Sequence, residues 1–152
     1  MMGGYGGSSG RTKGKCYYDT GGHKVKDKNA IEVAEQYMSE GREVLFLQEK
    51  QNTKRPDLLV DRELLVEVKG ISTTNSGQVS KNIKKAFQQI ESELSHHPEN
   101  ERKPFKVVIV SRHDNFEAGF KAVREGYQEA KRKGYVTGPV EFWYHGQIYV
   151  LE

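Results

Sequence analysis

The stretch "RPDLLVDRELLVEVKGIST", residues 55–73, holds two apolar runs, Leu58-Leu59-Val60 and Leu64-Leu65-Val66, split by Asp61-Arg62-Glu63. Short apolar runs joined by a polar connection read as neighbouring buried strands. The same stretch carries Asp57, Glu67 and Lys69. Charges are costly to bury unless they are paired or hold a cation. If Val60 faces Leu64 across the three-residue connection, Asp57 faces Glu67. Directly opposed residues share one face of a sheet, with side chains that start roughly 5 Å apart. Alternation puts Lys69 on the face of Glu67, while Leu58, Val60, Val66 and Val68 point the other way, into core. A register slip of one residue would scatter the trio.

Two close carboxylates repel, and one tends to hold a proton unless a cation lies between them. A hard divalent ion takes carboxylate oxygens readily, which makes Asp57 and Glu67 candidate ligands for Mg²⁺ or Mn²⁺, with the Val68 carbonyl as a further oxygen. Such an ion acidifies a bound water and polarises a phosphoryl oxygen. Lys69 would position that water or neutralise the phosphate. The competing reading is a cluster of ion pairs in which Lys69 bridges both acids.

Outward from this stretch the pattern is mixed α and β. Upstream, Asn29 reads as a helix cap. Ile31, Ala34, Tyr37 and Met38 recur at helical spacing, Gly41 reads as the terminator, and residues 43–47 form a short strand. Downstream, residues 70–77 read as loop. Residues 80–95 form an amphipathic helix with Ile83, Phe87, Ile90 and Leu94 on one face. His96-His97-Pro98 reads as a surface turn, because consecutive histidines do not share a helix face. Residues 106–110, "KVVIV", fit a strand covered on both faces. Asn115 caps a third helix with the stripe Phe116, Phe120, Val123 and Tyr127. Gly134 ends it, and a hairpin turning at His145-Gly146 closes the chain. The first three strands fit an antiparallel meander, and helix 80–95 then crosses over to a parallel neighbour. The expected fold is α/β: a mixed sheet with helices on both faces.

The 152 residues suit one domain, expected over 29–152. Net charge is +3, and the surplus sits in residues 1–30, with six basic and two acidic residues. Eight of the 16 glycines fall in the first 22 positions, so residues 1–28 read as a flexible basic arm. Its tyrosines and lysines suit stacking on single-stranded nucleic acid, and equally suit an ordinary solvated lead-in. Cys16 is the only cysteine, which excludes an internal disulfide framework and a cysteine zinc cluster. No apolar run reaches membrane-spanning length, so no membrane partner is expected.

Pro56-Asp57, nine intervening residues, then Glu67-Val68-Lys69 resembles the PD-(D/E)XK nuclease superfamily. That likeness implies a restriction-endonuclease-like αβββαβ core over about residues 29–112, with an added C-terminal helix and hairpin. A finer likeness is to the C-terminal tRNase toxin domains of contact-dependent growth inhibition. It rests on Gly41-Arg42-Glu43-Val44, Lys54-Arg55-Pro56-Asp57, Val60-Asp61, Glu67-Val68-Lys69, and Ala86 with Gln89. The asparagine-rich junction that usually precedes such domains is not seen. The resemblance implies a metal-dependent nuclease toxin that cleaves RNA, with tRNA the expected substrate. It also implies a cognate immunity protein. Delivery would be as the C-terminal part of a bacterial surface exoprotein that acts in the target-cell cytoplasm.

The resemblance implies catalytic roles for Asp57, Glu67, Lys69 and Gln89, and for an acid on the first helix, Glu32 or Glu35. Ser72 and Thr73 follow Lys69, where hydroxyls can meet a phosphate, although turn chemistry explains them equally. Lys81 and Lys85 lie on one polar face with Gln88, suited to a phosphate backbone or to solvent. Arg112 and His113 stand at the C-terminal end of a strand, where ligands gather in open α/β sheets. Two other functions remain open. One is a DNA endonuclease on the same core; the other is a non-catalytic RNA- or protein-binding module.

Overall fold

The computed structural model describes residues 14–18, 27–48 and 54–152. Most of the arm expected at 1–28 lies outside them. In chain order the elements are β1 (Cys16–Tyr18), α1 (Lys28–Ser39), β2 (Val44–Phe46), β3 (Leu58–Val60), β4 (Leu64–Ile71), α2 (Ser76–His96), a 3₁₀ turn (Pro98–Asn100), β5 (Phe105–Ser111), α3 (Phe116–Arg132), β6 (Val140–Tyr144) and β7 (Gln147–Val150). The strands form one mixed sheet in chain order. β2, β3 and β4 are an antiparallel meander. β4, β5 and β6 run parallel, with α2 and α3 as the crossovers. The class is α/β, and no helix among the described residues is long and apolar enough to cross a membrane.

Strand alternation sorts the core into two layers. Val66 and Val68 of β4, with Val108 and Val110 of β5, pack under Ala30, Val33, Ala34 and Tyr37 of α1. Ile71, Val107 and Ile109 face the opposite way, under Val79, Ile83, Phe87 and Ile90 of α2 and Val123 and Tyr127 of α3. The central β5 is therefore apolar on both faces, the requirement for a strand covered on both sides. The side of β4 that carries Glu67 and Lys69 is the α2 side.

The expected register of the β3–β4 hairpin is present. Val60 pairs with Leu64 and Leu58 with Val66, which sets Asp57 opposite Glu67. The turn between them places Asp61 and Arg62 at φ 54° and 60°, a region unfavourable for side chains. Ion pairs hold it there. Arg42 Nε and the Glu43 amide both donate to the Asp61 carboxylate, at 2.7 and 2.9 Å, and Arg62 pairs with the Glu43 carboxylate at 3.0 Å.

Three expectations need correction. Asp27, not Asn29, caps α1, its carboxylate accepting from the Asn29 amide. Helix α2 begins at Ser76 instead of 80, because the Asn75 side chain accepts from the Gln78 amide. The loop expected over 70–77 shrinks to 72–75, since Gly70 and Ile71 pair with Val110 and Ser111 of β5. In addition, Cys16–Tyr18, assigned from sequence to the arm, pairs in parallel with β2. Asn115, Gly134 and the His145-Gly146 turn stand as expected, with φ 48° and 79° at the last two.

Gly126 marks the tightest approach of α2 and α3. A Cβ there would lie 2.5 Å from Val79 Cβ and 2.7 Å from the Ser76 carbonyl oxygen. Gly126→Ala is expected to lower stability by about 1–3 kcal/mol, despite a helix-propensity gain of about 1 kcal/mol. The urea midpoint measures it. An unchanged or raised midpoint would show that the two helices have room to part.

Candidate active site

Burial separates the trio that the register brings together. The Glu67 side chain is 3% exposed and Lys69 is 22% exposed, with Lys69 Nζ 3.3 Å from Glu67 Oε2. Lys69 therefore lies between a sealed carboxylate and solvent. Glu67 Oε1 is buried and finds no hydrogen-bond donor among the described residues. Asp57 Oδ2 accepts from the Val68 amide at 2.8 Å, and the Asp57 carbonyl accepts from Leu47 at 3.0 Å. Burial pushes the Glu67 carboxyl well above the usual carboxylate range, the Asp57 charge adds to this, and Lys69 offsets part of it. Burial likewise raises Asp57, and the charge of Asp27 at the start of α1 contributes. Such an environment favours a proton or a cation between the acids.

Gln89 of α2 completes the group. Its Oε1 accepts from Lys69 Nζ at 3.2 Å. An ammonium has three N–H donors. Glu67 and Gln89 take two, and among the described residues nothing takes the third. Beyond Lys69 a cleft of about 470 Å³ runs along α2, and Lys85, Gln88, Gln89, Ser92 and His96 line its helix wall. Lys54 lines it from the segment before β3, and no carboxylate among the described residues lines it.

The other expected residues lie elsewhere. Glu32 sits on α1, on the opposite side of the sheet from Glu67, and pairs with Arg112 Nη2 at 2.9 Å. Arg112 Nε also donates to Asn29 Oδ1. Both are thus engaged with each other and do not line the cleft. Glu35 is exposed. Thr73 Oγ1 accepts from the Asn75 amide, the turn chemistry that precedes α2. Ser72 and Lys81 are exposed and do not line the cleft, and His113 Nδ1 accepts from the Asn115 amide. Asp61 belongs to the far end of the hairpin, where Arg42 holds its carboxyl below the usual range.

Two features escaped the sequence reading. Lys85, Gln89, Ser92 and His96 follow one another by four, three and four residues, a single helical stripe. Ending the helix at 95 hid its last member. Glu93 is fully buried on the apolar side of α2. It receives Arg55 Nε at 2.8 Å, Arg55 Nη2 at 2.9 Å and Asn100 Nδ2 at 2.6 Å. Its spacing three after Ile90 was the available signal. Comparison with protein families, curated proteins and solved structures returns no match to the chain.

The Arg55–Glu93 pair ties the segment that carries Lys54 and Asp57 to α2. Burial alone would raise the Glu93 carboxyl, but its bonds from Arg55 and Asn100 prevail and hold it below the usual range. A depressed carboxyl stabilises the fold above its unfolded pKa, and that contribution is lost as pH falls through the folded value. Glu93→Gln is therefore expected to cost about 3 kcal/mol at pH 7, with the deficit shrinking below the ordinary carboxylate range. Urea unfolding at both pH values measures this. An equal deficit at both would assign the loss to packing instead of charge.

Proposed function

We propose that this chain is a metal-dependent nuclease of the PD-(D/E)XK kind that cleaves RNA, with tRNA the expected substrate, and acts as a toxin neutralised by an immunity protein. The observation that carries the proposal is the gathering of Asp57, Glu67, Lys69 and Gln89 where β3, β4 and α2 meet, at one end of a basic cleft. The element order α1-β2-β3-β4-α2-β5 supports it, because it matches the αβββαβ order that the motif implies. The assignment to RNA and to toxin action rests on the likeness of residues 41–69 with Ala86 and Gln89.

The donor set fits a hard divalent ion. Glu67 Oε1 is a buried oxygen with no donor, and Asp57 lies opposite on the same sheet face. No group of three or more His, Cys, Asp or Glu side chains suited to a metal occurs among the described residues. The fit is accordingly to Mg²⁺ or Mn²⁺, which bind through one or two carboxylates and keep several waters, and not to a fully caged ion. When bound, the ion would supply an acidified water and charge stabilisation at the phosphoryl group. Asp57 and Glu67 would hold the ion. Lys69, fixed by Glu67 and Gln89, directs its remaining N–H at a phosphate oxygen. Gln89 keeps the ammonium from swinging toward solvent.

Purified protein with total tRNA, with plasmid DNA, and with Mg²⁺, Mn²⁺ or EDTA tests the proposal. The wild type is expected to cleave tRNA with Mg²⁺ or Mn²⁺ and not with EDTA. Asp57→Ala, Glu67→Gln and Lys69→Ala are each expected to lose about 100-fold or more in kcat/KM. Mg²⁺ should raise the wild-type melting temperature and leave Glu67→Gln unchanged. Cleavage of plasmid alone would select a DNA endonuclease. A wild type as inert as Asp57→Ala on every nucleic acid would leave a binding module.

A further inference from the structure

We propose that Lys54, Ser92 and His96 form a second phosphate subsite, so that a single RNA strand lies along α2 with consecutive phosphates at Lys69 and at His96. The inference rests on the nuclease reading for the class of ligand, and on separate geometry for its place.

Lys69 meets α2 at Gln89. His96 lies seven residues further on, about 10 Å along the helix axis at 1.5 Å per residue. Gln89, which holds Lys69, and His96 thus stand on one cleft wall at backbone positions farther apart than the span of one phosphate group. Its volume of about 470 Å³ is that of a small-molecule site, too small for a duplex and suited to a short run of single strand.

Charge points the same way. Among the described residues three lysines line the cleft, and no acid does. The nearby acids of α2 face elsewhere: Glu93 is buried against Arg55, and Glu91 lines a different cavity beside Tyr135. Among the described residues, Lys54 and Lys85 form no ion pair. Lys54 precedes Arg55, whose fork on Glu93 holds this segment against the last turns of α2.

His96 is also oriented. Its Nδ1 lies 2.9 Å from the Ser92 carbonyl oxygen, which can only accept, so Nδ1 carries the proton. Nε2 makes no hydrogen bond among the described residues and is the atom left for a ligand. The competing role is structural: a histidine in the last turn of a helix favours the negative end of its dipole. That role would act on stability and not on ligand length.

The experiment measures binding of single-stranded oligoribonucleotides with one and with two phosphodiesters, in EDTA so that nothing is cleaved. The wild type should bind the longer one about tenfold more tightly, an increment within the range of one added nucleotide contact. Lys54→Ala and His96→Ala should cut that increment below about threefold, and His96→Lys should retain it. Melting temperatures identify any variant that fails to fold; His96→Lys then carries the test. The proposal is overturned if the wild type shows no increment, or if folded Lys54→Ala and His96→Ala both keep it. Binding with the expected increment but no cleavage with Mg²⁺ would leave the subsite standing and remove the nuclease.

Discussion

Glu67 is held on the central hairpin with one oxygen sealed from water and from every donor among the described residues. A carboxylate in that position is unfavourable unless something cationic or a proton joins it. The rest of the site answers this constraint. Asp57 stands opposite by register, Lys69 covers the other oxygen, and Gln89 restrains Lys69 from the helix above. A buried ion-pair cluster accounts for Lys69, and the raised carboxyls of Asp57 and Glu67 allow a proton shared between them. A divalent ion between the two carboxylates would meet the same constraint, and the proposed function depends on that alternative.

The sheet delivers this arrangement because its two faces and two ends have separate tasks. The α1 face is almost wholly apolar around Val66, Val68, Val108 and Val110. The α2 face gives up apolar packing only at Glu67 and Lys69, between Leu65 and Ile71, which stay in core. At the opposite end of the hairpin, Arg42, Glu43, Asp61 and Arg62 hold a strained turn. Part of the toxin-like pattern, Gly41 to Val44 and Val60-Asp61, thus maintains register instead of touching the site. It still bears on chemistry, since a slip at Asp61 would part Asp57 from Glu67.

Local signals in the sequence were sufficient for the hairpin. Alternation, a short connection and an apolar strand on the far side of a crossover helix left little freedom in β3, β4, α2 and β5. The misreadings have physical causes. Gly70 and Ile71 look like loop in a run of small polar residues, and become strand only because β5 supplies their hydrogen-bond partners, forty residues away. β1 is three residues with a parallel partner, too short for any periodic signal. Glu32 and Glu35 were the expected acids of the first helix; Glu32 pairs with Arg112 on the face away from Glu67, Glu35 is exposed, and Asp27 at the helix cap is an acid whose charge reaches Asp57. Face assignment for a helix requires the packed sheet, which spacing alone does not provide.

The Arg55–Glu93 pair links fold and site most directly. Exposed ion pairs contribute little, whereas this pair is buried and bidentate, and Asn100 bonds the same carboxylate. Its position in the chain matters as much as its strength. Arg55 is flanked by Lys54 of the cleft and by Pro56-Asp57 of the carboxylate pair. A fork fixed at Arg55 limits the movement of both neighbours, on a segment that is neither strand nor helix. Without it, the described part of the loop entering β3 would rest on the β3 ladder, the Leu47 amide and the Val68 amide that Asp57 accepts. The pair therefore fixes Lys54 of the basic cleft relative to the buried acids, which follow it by three residues in Asp57 and by register in Glu67.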